Sequence, residues 1–228
     1  MKHSDGSAMK ILALEFSSAL RSVAVLNFAP DGRRLASSEV VDASPANTVK
    51  PFEMIEQALR ETGLEREVVD CIAIGIGPGS YTGIRAAIAL AQGWQLATGV
   101  KLLGISSAEC IATQAWAEGI TGRLSVVIDA QRGEFYLASF ESTGDKLTEV
   151  AALRITSRAE VEARMKAGDA LLGPDVVREF ATGQAFHPGA LMLGGLARGR
   201  SDFVSGDRLA PIYLREASFV KAPPSRVV

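Results

Sequence analysis

An apolar strand runs straight into Gly75-Ile76-Gly77-Pro78-Gly79-Ser80-Tyr81-Thr82-Gly83-Ile84-Arg85 and on into a long helix, and this stretch constrains the chain more than any other. Its four glycines, spread over nine positions, let the backbone turn tightly. A residue without Cβ takes positive φ and lets a neighbour come close. Two readings follow, an anion cradle and a packing loop. Ser80 and Thr82 are placed to cap the helix, whose N-terminus offers unpaired N–H groups and a positive dipole end. The known phosphate loops fit poorly. A Walker loop needs Gly-Lys-Ser/Thr, and the stretch has no lysine. A dinucleotide fingerprint needs the first βα turn and an acidic residue about twenty positions on, yet no carboxylate occurs between Gly75 and Val100. The tight structural turn is the stronger reading.

Composition bounds the rest. A chain of 228 residues makes one large or two small domains at the usual size of about 150 residues each. A hydrophobic fraction of 47% and a net charge of −2 describe an ordinary globular protein. A pI near 5.8 gives no sign of the basic face of a stand-alone nucleic-acid binder. Cys71 and Cys110 lack metal-ligand spacing and read as buried thiols in a reducing cytosol, and His3 and His187 belong to no zinc motif. Residues 1–8 are polar and precede a second methionine, Met9, so they read as an extension or scar rather than a signal peptide. The run from Ala86 to Val100 is shorter than the roughly 20 apolar residues of a membrane span. A cytoplasmic protein without membrane contact is expected.

The order of elements suggests a repeat. Lys10–Phe16 and Arg21–Phe28 read as a hairpin, and Leu35–Val41 as a third strand. From Asn47 or Thr48 to Glu61 the apolar positions Phe52, Ile55 and Leu59 recur at helical spacing, with Gly63 as the C-terminal cap. Val68–Ile76 reads as a buried strand and Gly83–Thr98 as a helix apolar nearly all round. A helix over Ala108–Trp116 is followed by a second hairpin, Leu124–Asp129 and Glu134–Phe140. Ser157–Met165 and Pro188–Arg198 read as further helices, and Ala170–Asp175 as strand and turn. Strands then helices, twice over, predict a mixed α/β (α+β) chain in two lobes.

Four motifs in order, Ile11-Leu12-Ala13-Leu14-Glu15-Phe16-Ser17, the loop Gly77-Pro78-Gly79-Ser80-Tyr81-Thr82-Gly83-Ile84-Arg85, the turn Ile128 to Tyr136 and the tail Pro211-Ile212-Tyr213-Leu214-Arg215, resemble the TsaB (YeaZ) family. The glycine loop is the specific one. The resemblance implies an actin-like ATPase (ribonuclease H-like) fold with two related lobes. Residues 9–104 would form the first lobe, with the tail 211–228 folding back on it, and 105–210 the second, smaller one. It also implies a non-catalytic role in making N6-threonylcarbamoyladenosine beside the anticodon of tRNA. The partners would be the catalytic paralogue TsaD and the ATPase TsaE, with tRNA met through the complex and homodimers formed by the chain alone.

Nucleotide-binding members of that fold carry Asp-x-Gly-Thr/Ser in the first hairpin turn, where this chain reads Glu15-Phe16-Ser17-Ser18. With Asp129 in the second hairpin, Glu15, Ser17 and Ser18 would form a degenerate nucleotide site with no tight cofactor, ATP and metal belonging to the partners. The histidine pair by which TsaD-like relatives hold a metal is absent, so no metal and no catalytic residue is assigned. Relatives often have His near Asn47 and Pro at Glu53, so the first helix departs in detail. The partner face would comprise Met54 and Ala58 with the small residues Ala86, Ala89, Gly93 and Ala97, which let another backbone approach. The runner-up is a stand-alone ATP-using enzyme working through the Gly77–Gly83 loop and Asp129. A peptidase needs an activated nucleophile, and only the distant His187 could serve Ser80. Arg198, Arg200, Arg208, Arg215, Lys221 and Arg226 are candidates for phosphate contacts in a complex.

Overall fold

A computed structural model describes residues 8–44 and 50–215. Its ten strands and six α-helices, counted among the described residues, come in two rounds of one order: three strands, helix, strand, helix, strand, helix. The first round is β1 (Met9–Glu15), β2 (Arg21–Phe28), β3 (Arg34–Asp42), α1 (Pro51–Thr62), β4 (Cys71–Gly75), α2 (Tyr81–Thr98), β5 (Lys101–Ile105) and α3 (Ser107–Ala117). The second is β6 (Gly122–Asp129), β7 (Glu134–Thr143), β8 (Lys146–Ser157), α4 (Arg158–Lys166), β9 (Ala170–Gly173), α5 (Val176–Glu179), β10 (Gln184–Ala185) and α6 (Ala190–Arg198).

Each round makes one five-stranded sheet, ordered β3-β2-β1-β4-β5 and β8-β7-β6-β9-β10. In both, the first three strands are antiparallel neighbours and the last two run parallel to the first. The same order and the same directions twice over make this the mixed α/β, actin-like fold in two related lobes.

Strand alternation sorts the core. Leu12 and Leu14 of β1 face α1 and α2, while Ile11 and Ala13 face the opposite side. That opposite side is covered by α6, through Ala190, Leu193 and Ala197. The helix therefore belongs to the second round of sequence but packs on the first sheet. A Cβ on Gly194 would stand 2.2 Å from Leu26 Cδ1, so the Leu26 side chain of β2 packs into the space that the missing Cβ leaves on α6. The reciprocal exchange is made by α3, whose Ala108, Ile111, Ala112 and Ala115 cover Leu124, Val126 and Leu172 of the second sheet. The outer face of that sheet is closed by α4, α5 and Phe180.

Several details differ from the sequence reading. The first helix spans Pro51–Thr62, with Gly63 as its left-handed cap at φ 67°. Asn47 and Thr48 lie outside the described residues, as do 1–7 and the tail beyond Arg215. Strands β5, β8 and β10 and helix α5 were not anticipated. Both cysteines are buried and free, and burial pushes the Cys71 thiol up to about 12. No helix among the described residues is long and apolar enough to cross a membrane.

Candidate functional site

The four motifs of the sequence meet at one place. Ser80 N–H donates to Ser17 O at 2.7 Å, joining the glycine loop to the first hairpin turn. A Cβ on Gly79, at φ +148°, would lie 2.1 Å from Ser17 O, and one on Gly83 would lie 2.0 Å from Phe16 O. The glycines are thus required by a protein backbone pressed against them, and the space a phosphate would enter in a cradle is filled by two carbonyls. Ser80 Oγ accepts from Gly83 N–H and caps α2, as its position suggests.

The tail closes the arrangement. Ile212 N–H donates to Ile76 O. Arg85 lies 4.0 Å above the Tyr81 ring, and its Nε–H donates to Tyr213 Oη at 2.9 Å. Arg215 reaches the second hairpin turn, donating to Ala130 O at 3.0 Å and to Glu134 Oε2 at 2.7 Å. In that turn Gln131 and Arg132 hold positive φ of 64° and 61°. Such values are uncommon for residues with side chains. Asp129 accepts from both the N–H and the Nε2 of Gln131.

Between the lobes this leaves a cleft of about 600 Å³, with Ser17, Ser18 and Ser80 on one wall and Asp129 and Asp175 on the other. Three of the four residues expected at a degenerate nucleotide site come together there. Glu15 does not. Its carboxylate is fully buried below the turn, accepting from Ser17 N–H at 2.8 Å and from Ser107 Oγ at 2.9 Å. Burial raises its pKa, with the bonds from Ser17 and Ser107 opposing the rise. A carboxyl so enclosed is a structural tie, turned away from the water shell of any metal in the cleft. Among the described residues no group of three or more His, Cys, Asp or Glu is placed to hold a metal ion.

That burial has a pH signature. Because the folded pKa of Glu15 lies above its ordinary 4.5, the folded state binds the proton more tightly than the unfolded chain. The stability contribution is complete below about pH 4.5 and is lost as pH rises through the folded pKa. Glu15→Gln keeps the shape and the acceptor for Ser17. It should flatten this part of the stability profile and make the variant the more stable form at pH 8. Urea titrations at pH 5 and pH 8 check it; an unchanged profile would mean that Glu15 is not the group concerned.

The serine and histidine weighed for a peptidase do not form a dyad. His187 Nδ1 lies 3.3 Å from Ser18 Oγ, not near Ser80, and the Ser18 hydroxyl donates to Leu20 O. Burial lowers the His187 pKa, with Asp175 opposing. Of the arginines considered for phosphate contacts, Arg200 is bonded to Glu109 and Arg215 to Glu134, while Arg198 lies over Phe28. Lys221 and Arg226 lie outside the described residues.

On the far side of the first lobe, α1 and α2 border an apolar groove of about 480 Å³, lined by Phe52, Ile55, Ala89, Gly93, Trp94 and Ala97. Ala86, Ala89, Gly93 and Ala97 are all exposed, one stripe of small residues with Leu96 beside it, 89% exposed. Met54 and Ala58 are not part of this surface. Both are buried against the first sheet, because the inner face of α1 is Met54-Ile55-Ala58-Leu59, and it is Phe52, 70% exposed, that turns outward.

The sequence pattern of the family described as "TsaD: tRNA N6-adenosine threonylcarbamoyltransferase" matches residues 42–182. The chain belongs to this family, on its TsaB (YeaZ) side. The "tRNA threonylcarbamoyladenosine biosynthesis protein TsaB" of Escherichia coli is 32% identical over 133 residues, which are 58% of this chain and 55% of that protein. Its Haemophilus influenzae namesake is 30% identical over 57% of this chain and 53% of its own length. The chain thus spans about half the length of the curated relatives it matches. A solved structure, YeaZ from Pseudomonas aeruginosa, superposes with a TM-score of 0.75 at 26% identity, covering 90% of this chain and 100% of that one. The TsaB resemblance read from the four motifs is the one these relatives carry.

Proposed function

We propose that this chain is a non-catalytic scaffold for the making of N6-threonylcarbamoyladenosine on tRNA in the cytoplasm. It docks a catalytic TsaD paralogue, the ATPase TsaE joins them, and ATP, metal and tRNA are handled by the assembly. The names of the TsaB relatives support the pathway. The observation that carries the scaffold role is the α1–α2 face. A helix surface of Ala86, Ala89, Gly93 and Ala97, flanked by outward Phe52 and Leu96, leaves apolar area in water at a cost of roughly 25 cal/mol per Å². Small residues there let a second helix pair approach closely. In isolation the same face suits a second copy of the chain. The withdrawal of Glu15 from the cleft supports a role without ATP–magnesium chemistry of its own.

Gly93 separates docking from folding. A Cβ there meets nothing within 4 Å, so Gly93→Ala should stabilise the free chain by about 0.5–1 kcal/mol through helix propensity. Gly93→Arg should also fold, yet abolish association. Size-exclusion chromatography with light scattering, on the chain mixed with TsaD from the same organism, reads this directly. The wild type should co-elute and Gly93→Arg should not. Independent elution of the wild type, with and without ATP, would end the scaffold reading.

A further inference from the structure

Arg85 is the only charged residue between Gly75 and Val100, and it stands on the exposed side of α2. Tyr81, Arg85 and Ala89 follow at four-residue steps and so are neighbours on the helix surface, and Ala89 lines the α1–α2 groove. The arginine is held in place. Its guanidinium lies 4.0 Å above the Tyr81 ring, and its Nε–H donates to Tyr213 Oη at 2.9 Å. Both rings are about half exposed, at 55% and 49%. Among the described residues no carboxylate pairs with this guanidinium, so its terminal nitrogens keep their donors. Tyrosine and arginine are residue types that dominate interface energetics. A guanidinium already ordered by its neighbours loses little freedom on binding, and its planar fork takes a carboxylate through two parallel hydrogen bonds.

A second copy of the chain does not supply that carboxylate. A two-fold contact presents the same face from both sides, and the acids of this face are already engaged. Helix α2 has none. On α1, Glu53 pairs with Lys50 at 2.9 Å, Glu56 pairs with Arg66, and Glu61 accepts from Ser38 and Gln57. Copy against copy therefore brings two Arg85 side chains to one interface with no free acid between them. Nucleic acid fits no better, because phosphate binding draws on several cations, and here one cation stands beside Ala86 and Ala89.

We propose that Arg85 is the selectivity residue of the α1–α2 face, an inference that rests on the docking reading above. It pairs with a carboxylate on a helix of the catalytic paralogue, and so favours that partner over a second copy of this chain. Calorimetric titration of the full chain with TsaD from the same organism reads the first affinity. Sedimentation equilibrium of the chain alone reads the second. Arg85→Gln should weaken binding to TsaD by about tenfold or more and leave self-association as tight as before or tighter. Arg85→Lys, which keeps the charge but loses the fork, should fall between. Raising sodium chloride from about 50 to about 500 mM should weaken the wild-type complex more than that of Arg85→Gln. Arg85→Glu should abolish binding to TsaD, and lysine in place of one Asp or Glu on the docking helices of TsaD should restore it. Thermal unfolding of each variant checks that this exposed site has left the fold intact. If Gly93→Arg abolishes binding to TsaD while Arg85→Gln binds as the wild type does, the docking face stands and the selectivity role is overturned. It is also overturned if Arg85→Gln weakens self-association as much as binding to TsaD, or weakens tRNA binding while TsaD binding is kept. A wild-type chain that does not bind TsaD overturns both readings.

Discussion

Gly79→Ala is expected to lower the unfolding free energy by about 3 kcal/mol or more. Two costs combine: a backbone at φ +148° that side chains rarely adopt, and a Cβ placed 2.1 Å from the Ser17 carbonyl. Neither can relax cheaply. The obstacle is main chain, fixed on one side by the Ser80 N–H bond and on the other by the β1–β2 hairpin. Urea denaturation should show a lower midpoint with an unchanged slope. A loss under about 1 kcal/mol would mean that the loop stands clear of the hairpin, and would restore the anion cradle as a reading of the glycines.

Leu193→Ala is expected to cost about 2–5 kcal/mol, the range for emptying a fully buried leucine site. The place where that cost appears is the sharper test. Leu193 lies among Ile11, Ala13, Leu26 and Leu103, all in the first sheet. Hydrogen exchange should therefore quicken in β1 and β2, far back in the sequence, as much as in α6 itself. Exchange that quickens in β6 and β9 alone would contradict the exchanged packing of the terminal helices.

The repeat of hairpins was legible because both are dense in β-branched and apolar residues with turn residues between. The glycine loop was legible as a packing device because it lacks lysine and carboxylate. Other elements left no such trace. Strand β8 is an edge strand, Lys146 to Ser157, in which polar and apolar residues are equally mixed and only Thr156 is buried, so it has no strong alternation to read. Strand β5 is five residues long with Gly104 inside it. The placing of Met54 and Ala58 on the partner face failed for a rotational reason. A helix with apolar residues on two sides does not say which side meets its own sheet, and here Phe52 is the residue turned outward. In the cleft, Ser17, Ser18 and Asp129 were found from the hairpin turns, whereas Arg21 was overlooked. Its signal was present in the sequence, the one charged residue of strand β2.

The exchange of terminal helices also sets a timetable for synthesis. When Ile105 leaves the ribosome the first sheet has all five strands, but the face formed by Ile11, Ala13, Leu26 and Leu103 still lacks its cover. That cover is α6, which ends at Arg198. At translation rates of about 5–20 residues per second, the intervening segment takes roughly 5–20 s. Throughout that interval a nascent chain presents a finished sheet with one greasy side, a natural ligand for a ribosome-associated chaperone.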